Sequence, residues 1–196
     1  MAKIVAFESI TLDGVMQAPG RPDEDTRDGF AHGGWAAPYS DTPEQGRAVA
    51  ESMSTTGAML LGRRTYEDFF HAWAGRTDNP FSPVFDNNTK YVASRTLREP
   101  LVWQNSVLLS SGTDGVARLR REPGKDIVVL GSGELVRSLA AAGLIDRWML
   151  FIHPLVLGSG QRLFADEAQL ARLRLVSAVP TSSGVIIATY EAAPQA

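Results

Sequence analysis

Eight short apolar runs, separated by segments with helical patterning, constrain the fold of this 196-residue chain more than any other feature of its sequence. Such runs are typical of β-strands, and strands that alternate with helices indicate an α/β fold with a mostly parallel central sheet flanked by helices. The last two runs meet through the turn from Pro180 to Gly184, which predicts a C-terminal antiparallel hairpin. The predicted strands cover residues 3–10, 57–61, 90–94, 106–110, 126–130, 146–152, 172–179 and 184–191.

Four helices are predicted between the strands. The first begins at Pro43, a residue favoured in a first helical turn, and ends near Thr55. The fourth begins after Ser132 and is stopped by Gly143. Glycine and proline cluster in two further segments, which are interpreted as long surface loops, and long loops in compact domains are often functional. The other two helices cover about residues 63–70 and 114–121, and the two loops cover residues 18–43 and 73–83.

The composition excludes several classes of function. With 44% hydrophobic and 21% charged residues, the chain is expected to fold as a single globular domain over residues 1–196. It contains no cysteine, which excludes disulfide scaffolds, thiolate zinc sites and cysteine nucleophiles. The formal net charge of −3 provides no general attraction for nucleic acid. The apolar start at residues 4–7 is too short for a signal peptide or a membrane span, so a cytoplasmic location is expected.

One strand end carries a glycine turn. The predicted strand 126–130 is followed by Gly131-Ser132-Gly133-Glu134 and a helix. Glycines let the backbone approach an anion, and the free N–H groups of a first helical turn suit a phosphate or pyrophosphate. The alternative is a tight turn that Ser132 merely caps. Val136 stands where the Rossmann fingerprint has its third glycine, so a phosphate site here requires a different nucleotide-binding fold.

A second strand end carries Gly62-Arg63-Arg64-Thr65. Guanidinium groups match phosphate oxygens in a bidentate way, and the Thr65 hydroxyl can cap the helix or bond to an anion. In the alternative interpretation, the two arginines are surface charges paired with Glu67 or Asp68.

A third strand end, Ser94-Arg95-Thr96, again places a hydroxyl and a cation after an apolar run. The carboxyl ends of parallel strands meet at one edge of a sheet, where ligands bind in open α/β folds. The three strand ends together therefore predict a site for a multiply phosphorylated ligand. NADPH fits better than NADH, because basic and hydroxyl side chains would hold its 2′-phosphate.

These residues resemble a known family, the dihydrofolate reductase-like proteins, and within it the reductase domain of bifunctional riboflavin deaminase-reductases, here as a stand-alone chain. The resemblance covers nearly the whole chain and implies the dihydrofolate reductase-like fold. It rests on the order and spacing of the motifs Leu12-Asp13-Gly14-Val15, Leu61-Gly62-Arg63-Arg64-Thr65-Tyr66-Glu67, Ser94-Arg95, Val129-Leu130-Gly131-Ser132-Gly133-Glu134, and His153-Pro154-Leu155-Val156-Leu157-Gly158-Ser159-Gly160 with Leu163-Phe164.

The resemblance also implies a set of site residues, a small-molecule substrate and a homodimer. Ser9 and the loop of Asp13 would face the nicotinamide and the substrate, and Leu157 and Gly158 would form a turn beside the substrate cleft, for which a plain glycine-rich connection is the alternative. The residues implied to hold NADPH are Gly62, Arg63, Arg64 and Thr65 for the adenosine side, Ser94 and Arg95 for the 2′-phosphate or ribose, and Leu130, Gly131, Ser132, Gly133 and Glu134 for the pyrophosphate.

The chain departs from the family in two places. Folate reductases carry a carboxylate near the start of the first helix, where this chain has Gln45 and Gly46, with Glu44 at the margin. The riboflavin-pathway reductases carry a basic, histidine-containing stretch that residues 50–56 do not match. Folate and a ribosyl phosphate are therefore both doubtful as substrates.

Asp13 is the candidate for anchoring the substrate or relaying a proton, and the alternative is that it only caps its own turn. Trp35, Tyr39 and Trp73 are interpreted as an aromatic lid over a flat heterocycle or, alternatively, as loop anchors. The three histidines, His32, His71 and His153, show no metal-ligand spacing and are interpreted as surface or packing residues, so no metal is predicted.

The sequence thus favours an NADPH-dependent reductase that transfers a hydride to a small heterocyclic substrate, similar to a pterin or an aminopyrimidine. The leading alternative is a binding module of the same fold that retains a nucleotide or pterin-like ligand without turnover. A purely structural or partner-binding domain would leave the arginines and glycines at three strand ends unexplained.

Overall fold

A single eight-stranded sheet organises the computed structural model, which describes residues 1–78, 81–164 and 170–193. Its strands are β1 (Ile4–Thr11), β2 (Thr56–Gly62), β3 (Thr89–Ala93), β4 (Ser106–Leu109), β5 (Asp126–Leu130), β6 (Arg147–His153), β7 (Leu173–Pro180) and β8 (Ile186–Ala192). The helices are α1 (Pro43–Thr55), α2 (Arg63–Trp73), α3 (Ser82–Asn87), α4 (Gly112–Arg121) and α5 (Gly133–Ala141).

The strand order is β4-β3-β2-β5-β1-β6-β8-β7. The first six strands in this order pair in parallel, whereas β8 is antiparallel to both β6 and β7. The structure thus confirms the predicted parallel sheet with a C-terminal antiparallel hairpin. It also adds α3, which was not predicted because six residues are too few to show a helical period.

The core lies on both faces of the sheet. Alternate residues of β1 point to opposite faces, so Ile4 and Ala6 pack with Val136 and Leu139 of α5. On the other face, Val5 belongs to a cluster that includes residues of α2 and α3. Among the described residues, no helix is both long and apolar enough to cross a membrane.

The outer edge of the hairpin differs from the rest of the sheet. All eight residues of β7 are exposed in the part of the chain that the structure describes, including Leu175, Val176 and Val179. The core covers both faces of the central parallel strands, as the predicted flanking helices imply, whereas the antiparallel edge at β7 is open. A long edge strand with apolar side chains is a surface on which another chain can pair.

Candidate functional site

Two adjoining cavities open along the carboxyl ends of the parallel strands. The larger, called here the long cleft, has a volume of about 890 Å³ and follows the ends of β2, β3 and β5. The smaller, called the small pocket, has a volume of about 510 Å³ and lies over the ends of β1 and β6. Phe7 and Ser9 of β1 line both cavities, so the two spaces meet at these residues.

The long cleft brings the three predicted strand ends together. Neighbouring positions of β3, β2 and β5 in the sheet order explain why segments distant in sequence meet here. The cleft is lined by Ser9, Gly62, Arg63, Arg64, Thr65, Ser94, Arg95, Leu130, Gly131, Ser132, Gly133 and Glu134, which is every residue that the sequence predicts for cofactor binding.

Ser132 ties two of these strand ends to each other. Its hydroxyl accepts a hydrogen bond from the Gly62 N–H at 2.9 Å and donates one to the Leu130 carbonyl at 3.2 Å. Its side chain makes no cap bond to α5, so the alternative of a serine-capped turn is not what the structure shows. Gly131 and Ser132 both have left-handed backbones, with φ of 54° and 63°. This turn aims the amino terminus of α5 at the cleft beside that of α2, and both termini suit an anion.

The charges around the long cleft are partly paired. Arg63 lies 3.4 Å from Glu67, as the surface-charge alternative expects, whereas Arg64 lies 3.2 Å from Glu134 and not beside Glu67 or Asp68. The guanidinium of Arg95, in contrast, has neither an ion pair nor a hydrogen bond within residues 1–78, 81–164 and 170–193. Exposed ion pairs contribute little, typically about 0–1 kcal/mol, so Arg64 can exchange its carboxylate for a ligand anion at small cost.

The long predicted loop, residues 18–43, has its own structure and covers one side of the long cleft. Its anchor is Gln17, whose amide donates to the carbonyls of Asp25 and Arg27 and accepts from the N–H of Gln161. The Trp35 indole N–H donates to the Gln17 carbonyl at 2.7 Å. This buried amide is therefore one of the contacts that hold the loop to the rest of the chain, together with the ion pair between Arg21 and Asp68 of α2.

The small pocket is mainly apolar, with a few polar groups. Its floor consists of Phe7 and Ser9 from β1 and Phe151 and His153 from β6, which all lie on one face of the sheet. Its other lining residues are Ala36, Ser40, Asp41, Thr42, Pro43, Gln45, Gly46, Val49 and Phe81. Asp41 is the one charged side chain in this lining, so the pocket offers no cation from the described residues to hold a phosphate.

His153 is packed against aromatic rings, in line with one of the two interpretations of the histidines, but it also lines the small pocket, which the sequence analysis did not predict. It is 2% exposed, lies at the end of β6, and its Nδ1 is 3.0 Å from the Phe151 carbonyl and 3.3 Å from the Ile10 carbonyl. The signal available in the sequence was its position directly after an apolar strand, the same signal that identified the arginines. No cluster of three or more metal-ligating side chains occurs in the described part of the chain.

Asp13 lies outside the lining of both cavities. Its carboxylate accepts hydrogen bonds from the Thr11 hydroxyl and from the N–H groups of Leu157 and Gly158. The Thr11 bond makes the largest contribution to lowering the pKa of Asp13, so the group is an anion at neutral pH. Its substrate or proton role, like that of Leu157 and Gly158, stays a prediction, and the geometry favours a positioning role that joins β1 to the segment after β6.

Trp35 also lies outside the lining of both cavities, but it packs against His153, which lines the small pocket. Its ring meets the His153 ring edge-on at 5.0 Å, and Tyr39 does so at 5.8 Å. Trp73 does not join them, because it packs at 5.2 Å against Phe85 on the α2–α3 side. The three aromatic residues therefore do not form one lid, and Trp35 and Tyr39 support a pocket residue from behind.

Glu8 is a second residue that the sequence analysis missed. It lines the long cleft from β1, is 3% exposed, and its Oε1 has no hydrogen-bond partner among the described residues. Burial raises its pKa well above the ordinary value, and the charge of Arg137 opposes this shift only partly. A buried carboxyl group without a partner at a cleft is typical of a functional site rather than of a stable core.

We predict that Glu8→Gln stabilises the protein at neutral pH. The folded chain holds the Glu8 proton to higher pH than the unfolded chain, so the free energy of unfolding falls as the pH rises above about 4.3. Urea unfolding from pH 4 to pH 8 should show the variant equal to the wild type at the acidic end and more stable at the other. Glu51→Gln, at an exposed position of α1, is the control, and parallel pH curves for wild type and Glu8→Gln would contradict the assignment.

Comparison with known proteins finds relatives in sequence and in fold. An uncharacterised protein of Bacillus subtilis, YyaP, is 29% identical over 154 residues, which cover 76% of this chain and 79% of the relative. A putative riboflavin biosynthesis protein from Shewanella has a similar structure, with a TM-score of 0.72 at 17% identity, covering 99% of this chain and 100% of that one.

Two further solved structures have the same fold. A pyrimidine reductase-like protein from Corynebacterium diphtheriae has a TM-score of 0.67 at 12% identity, covering 99% of this chain and 93% of its own. Dihydrofolate reductase from Enterococcus faecalis, complexed with NADP(H), has a TM-score of 0.63 at 16% identity, covering 98% and 97%. These likenesses confirm the dihydrofolate reductase-like fold.

The resemblance in sequence is confirmed by a family match that spans nearly the whole chain. The RibD C-terminal domain family matches residues 2–187, a range that includes both cavities and all the strand ends described above. The protein is therefore a member of the RibD C-terminal domain family.

Proposed function

We propose that the protein is an NADPH-dependent reductase of a small, uncharged heterocycle, similar to a pterin or an aminopyrimidine. One observation carries the proposal: a cleft with three anion-binding strand ends meets a small, mostly apolar pocket at Phe7 and Ser9. The family membership and the names of the structural neighbours, a pyrimidine reductase-like protein and a dihydrofolate reductase, support it.

The hydrogen-bond donors of the long cleft suit the phosphate groups of NADPH. The helix amino termini at Arg63 and Gly133 offer N–H groups to a pyrophosphate, while Arg95 offers to a 2′-phosphate a guanidinium that has no ion pair among the described residues. The cleft volume of about 890 Å³ lies within the range of ligand sites. The Glu134 carboxylate is a counter-ion of Arg64, so Glu134 would bind the pyrophosphate through its backbone N–H in the first turn of α5.

The residues at the junction of the cavities prepare a dry site for reduction. NADPH, when bound, supplies a hydride to an electrophilic C=O or C=N carbon. Phe7 and Phe151, with ring centroids 4.9 Å apart, form an apolar floor that excludes water on the substrate side. Ser9, which like Phe7 lines both cavities, places a hydroxyl beside that floor, within the space where substrate and cofactor would meet. Holding two reactants in such a space converts their encounter into an intramolecular step.

The small pocket argues for an uncharged substrate. Gln45 occupies the position of the folate-reductase carboxylate, and its side-chain oxygen already accepts from the Thr42 N–H in a capping box. Glu44 accepts a bond from the Ser182 hydroxyl and does not line the pocket. With no cation in the described lining, a ribosyl phosphate has no counter-charge.

The same lining favours a second candidate function, a binding module without turnover. Apart from Asp41, the small pocket has no carboxylate in the described residues that could assist protonation of a substrate. We nevertheless expect NADPH oxidation, followed at 340 nm, with at least one compound from a panel of pterins, pyrimidines, quinones and aldehydes. Tight NADPH binding without oxidation across the panel would favour the binding module instead.

We predict that Arg95→Ala weakens NADPH binding by about 10- to 100-fold, because a charge-assisted bond to the 2′-phosphate contributes about 1.5–3 kcal/mol. NADH, which lacks this phosphate, should lose less than about twofold. Tryptophan fluorescence quenching measures both affinities, and Arg121→Ala on α4 is the matched control. An equal loss for both cofactors would refute the 2′-phosphate assignment, and no response of the wild-type protein to millimolar NADPH would refute the function itself.

We also propose that a second copy of the chain covers the exposed edge strand β7. Leu175 is 51% exposed, Val176 46% and Val179 44%. Pairing with the identical strand of a second copy, across a two-fold axis, would bury these side chains and give hydrogen-bond partners to the backbone groups of the edge.

Light scattering after size exclusion should give the mass of a dimer for the wild type and of a monomer for Val179→Lys, because a lysine at the edge blocks pairing. Val102→Lys is the control, since Val102 is 72% exposed but lies outside the sheet. A monomeric wild type would eliminate the dimer.

A further inference from the structure

The His153 ring is held in one tautomer by the backbone around it. Both groups within hydrogen-bond distance of Nδ1 are carbonyl oxygens, of Phe151 at 3.0 Å and of Ile10 at 3.3 Å. Carbonyl oxygens accept hydrogen bonds and never donate them, so Nδ1 carries the proton. The other ring nitrogen, Nε2, then has a free lone pair whenever the ring is neutral.

The ring is also fixed in orientation. Trp35 and Tyr39 contact it edge-on, at 5.0 and 5.8 Å, and Trp35 is itself anchored by its bond to the Gln17 carbonyl. A half-turn of the imidazole would place a C–H group against the two carbonyls and lose both bonds. The side of the ring that carries Nε2 therefore keeps one direction, away from the β1 and β6 carbonyls.

Nε2 is left for a ligand. His153 is 2% exposed and lines the small pocket, yet Nε2 has no hydrogen bond in the described part of the chain. Nε2 is not among the buried side-chain atoms without a partner, so the atom is accessible to solvent, and a molecule bound in the small pocket can supply its hydrogen bond in place of water. The ring is neutral at pH 7, because burial lowers the pKa of His153 more than its two backbone bonds raise it. The titratable groups that approach it are Tyr39, through its ring, and Asp41, in the same lining.

We propose that His153 determines substrate specificity by accepting, at Nε2, a hydrogen bond from an N–H or NH2 group of the substrate ring. This inference rests on the proposed function, and it narrows the substrate class. Aminopyrimidines and pterins carry such a donor. Quinones and aldehydes present only acceptors, so their lone pairs would face that of Nε2 and leave it unsatisfied.

The tautomer can be tested without substrate or cofactor. The chain has three histidines, so 15N-histidine labelling gives three ring systems, and His153 is assigned by its loss in His153→Gln. Long-range 1H–15N correlation spectra at pH 7 should show His153 as the neutral tautomer with its proton on Nδ1. A proton on Nε2, or a charged ring, would overturn the proposal.

The specificity is tested with a matched pair of probes, 2,4-diaminopyrimidine and unsubstituted pyrimidine, which lacks N–H groups. On binding of the first probe, we expect the Nε2 resonance of His153 to shift, and His153→Phe to weaken that binding about tenfold, the ratio that about 1.4 kcal/mol produces. Pyrimidine affinity should stay the same. His153→Gln, whose side-chain oxygen can accept, should restore part of the loss, and His71→Gln on the exposed end of α2 is the control.

An equal loss for both probes in His153→Phe would overturn the proposal, as would an unshifted Nε2 resonance at saturation. These measurements use no NADPH, so their failure is distinct from a failure of the cofactor titration. If His153→Phe does not fold, the wild-type tautomer and the Nε2 shift still decide the question.

Discussion

The parallel alignment of β1 between β5 and β6 is the constraint on which the rest of the site depends. Phe7 is in register with Leu130 of β5 on one side and with Met149 of β6 on the other. Ser9 pairs with Phe151 in the same ladder. Because parallel strands end at the same edge, the glycine turn after β5 and the histidine at the end of β6 both lie next to β1. The long cleft and the small pocket thus meet on one strand.

Charge acts locally in this protein. The chain is acidic as a whole, with a net charge of −3, yet its arginines at the ends of β2 and β3 line a single cleft. Carboxylates balance two of them, Glu67 for Arg63 and Glu134 for Arg64. The same lining also carries the carboxylates of Asp23, Glu24 and Asp25, so any attraction for an anion would come from the two helix amino termini and from Arg95, which has no ion pair in the described part of the chain. The net charge of the chain therefore bears on a general attraction for nucleic acid but does not predict the charges that line this cleft.

Sequence reasoning succeeded where a property is local in the chain and failed where it depends on what surrounds a side chain. The strand ends at Gly62 and Gly131 were predictable because an apolar run, a glycine and a helix start are consecutive residues. The turn at Asp13 was predictable from the residues around it. The backbone N–H groups of Leu157 and Gly158, which donate to its carboxylate, are more than 140 residues away in the chain and could not be predicted in this way. His153 acquires its environment from aromatic rings in the long loop, a contact that no local pattern indicates.

Glu8 and Ser9 are neighbours in the chain but serve opposite faces of the sheet. The side-chain period of a strand is two residues, so Glu8 turns toward the α5 side while Phe7 and Ser9 form the floor of the small pocket. Inserting or deleting one residue upstream in β1 would exchange these faces, driving a carboxyl group into the pocket and an aromatic ring out of it. Members of this family that keep the same site can therefore diverge in β1 by substitution, whereas changes of length must be confined to the loops.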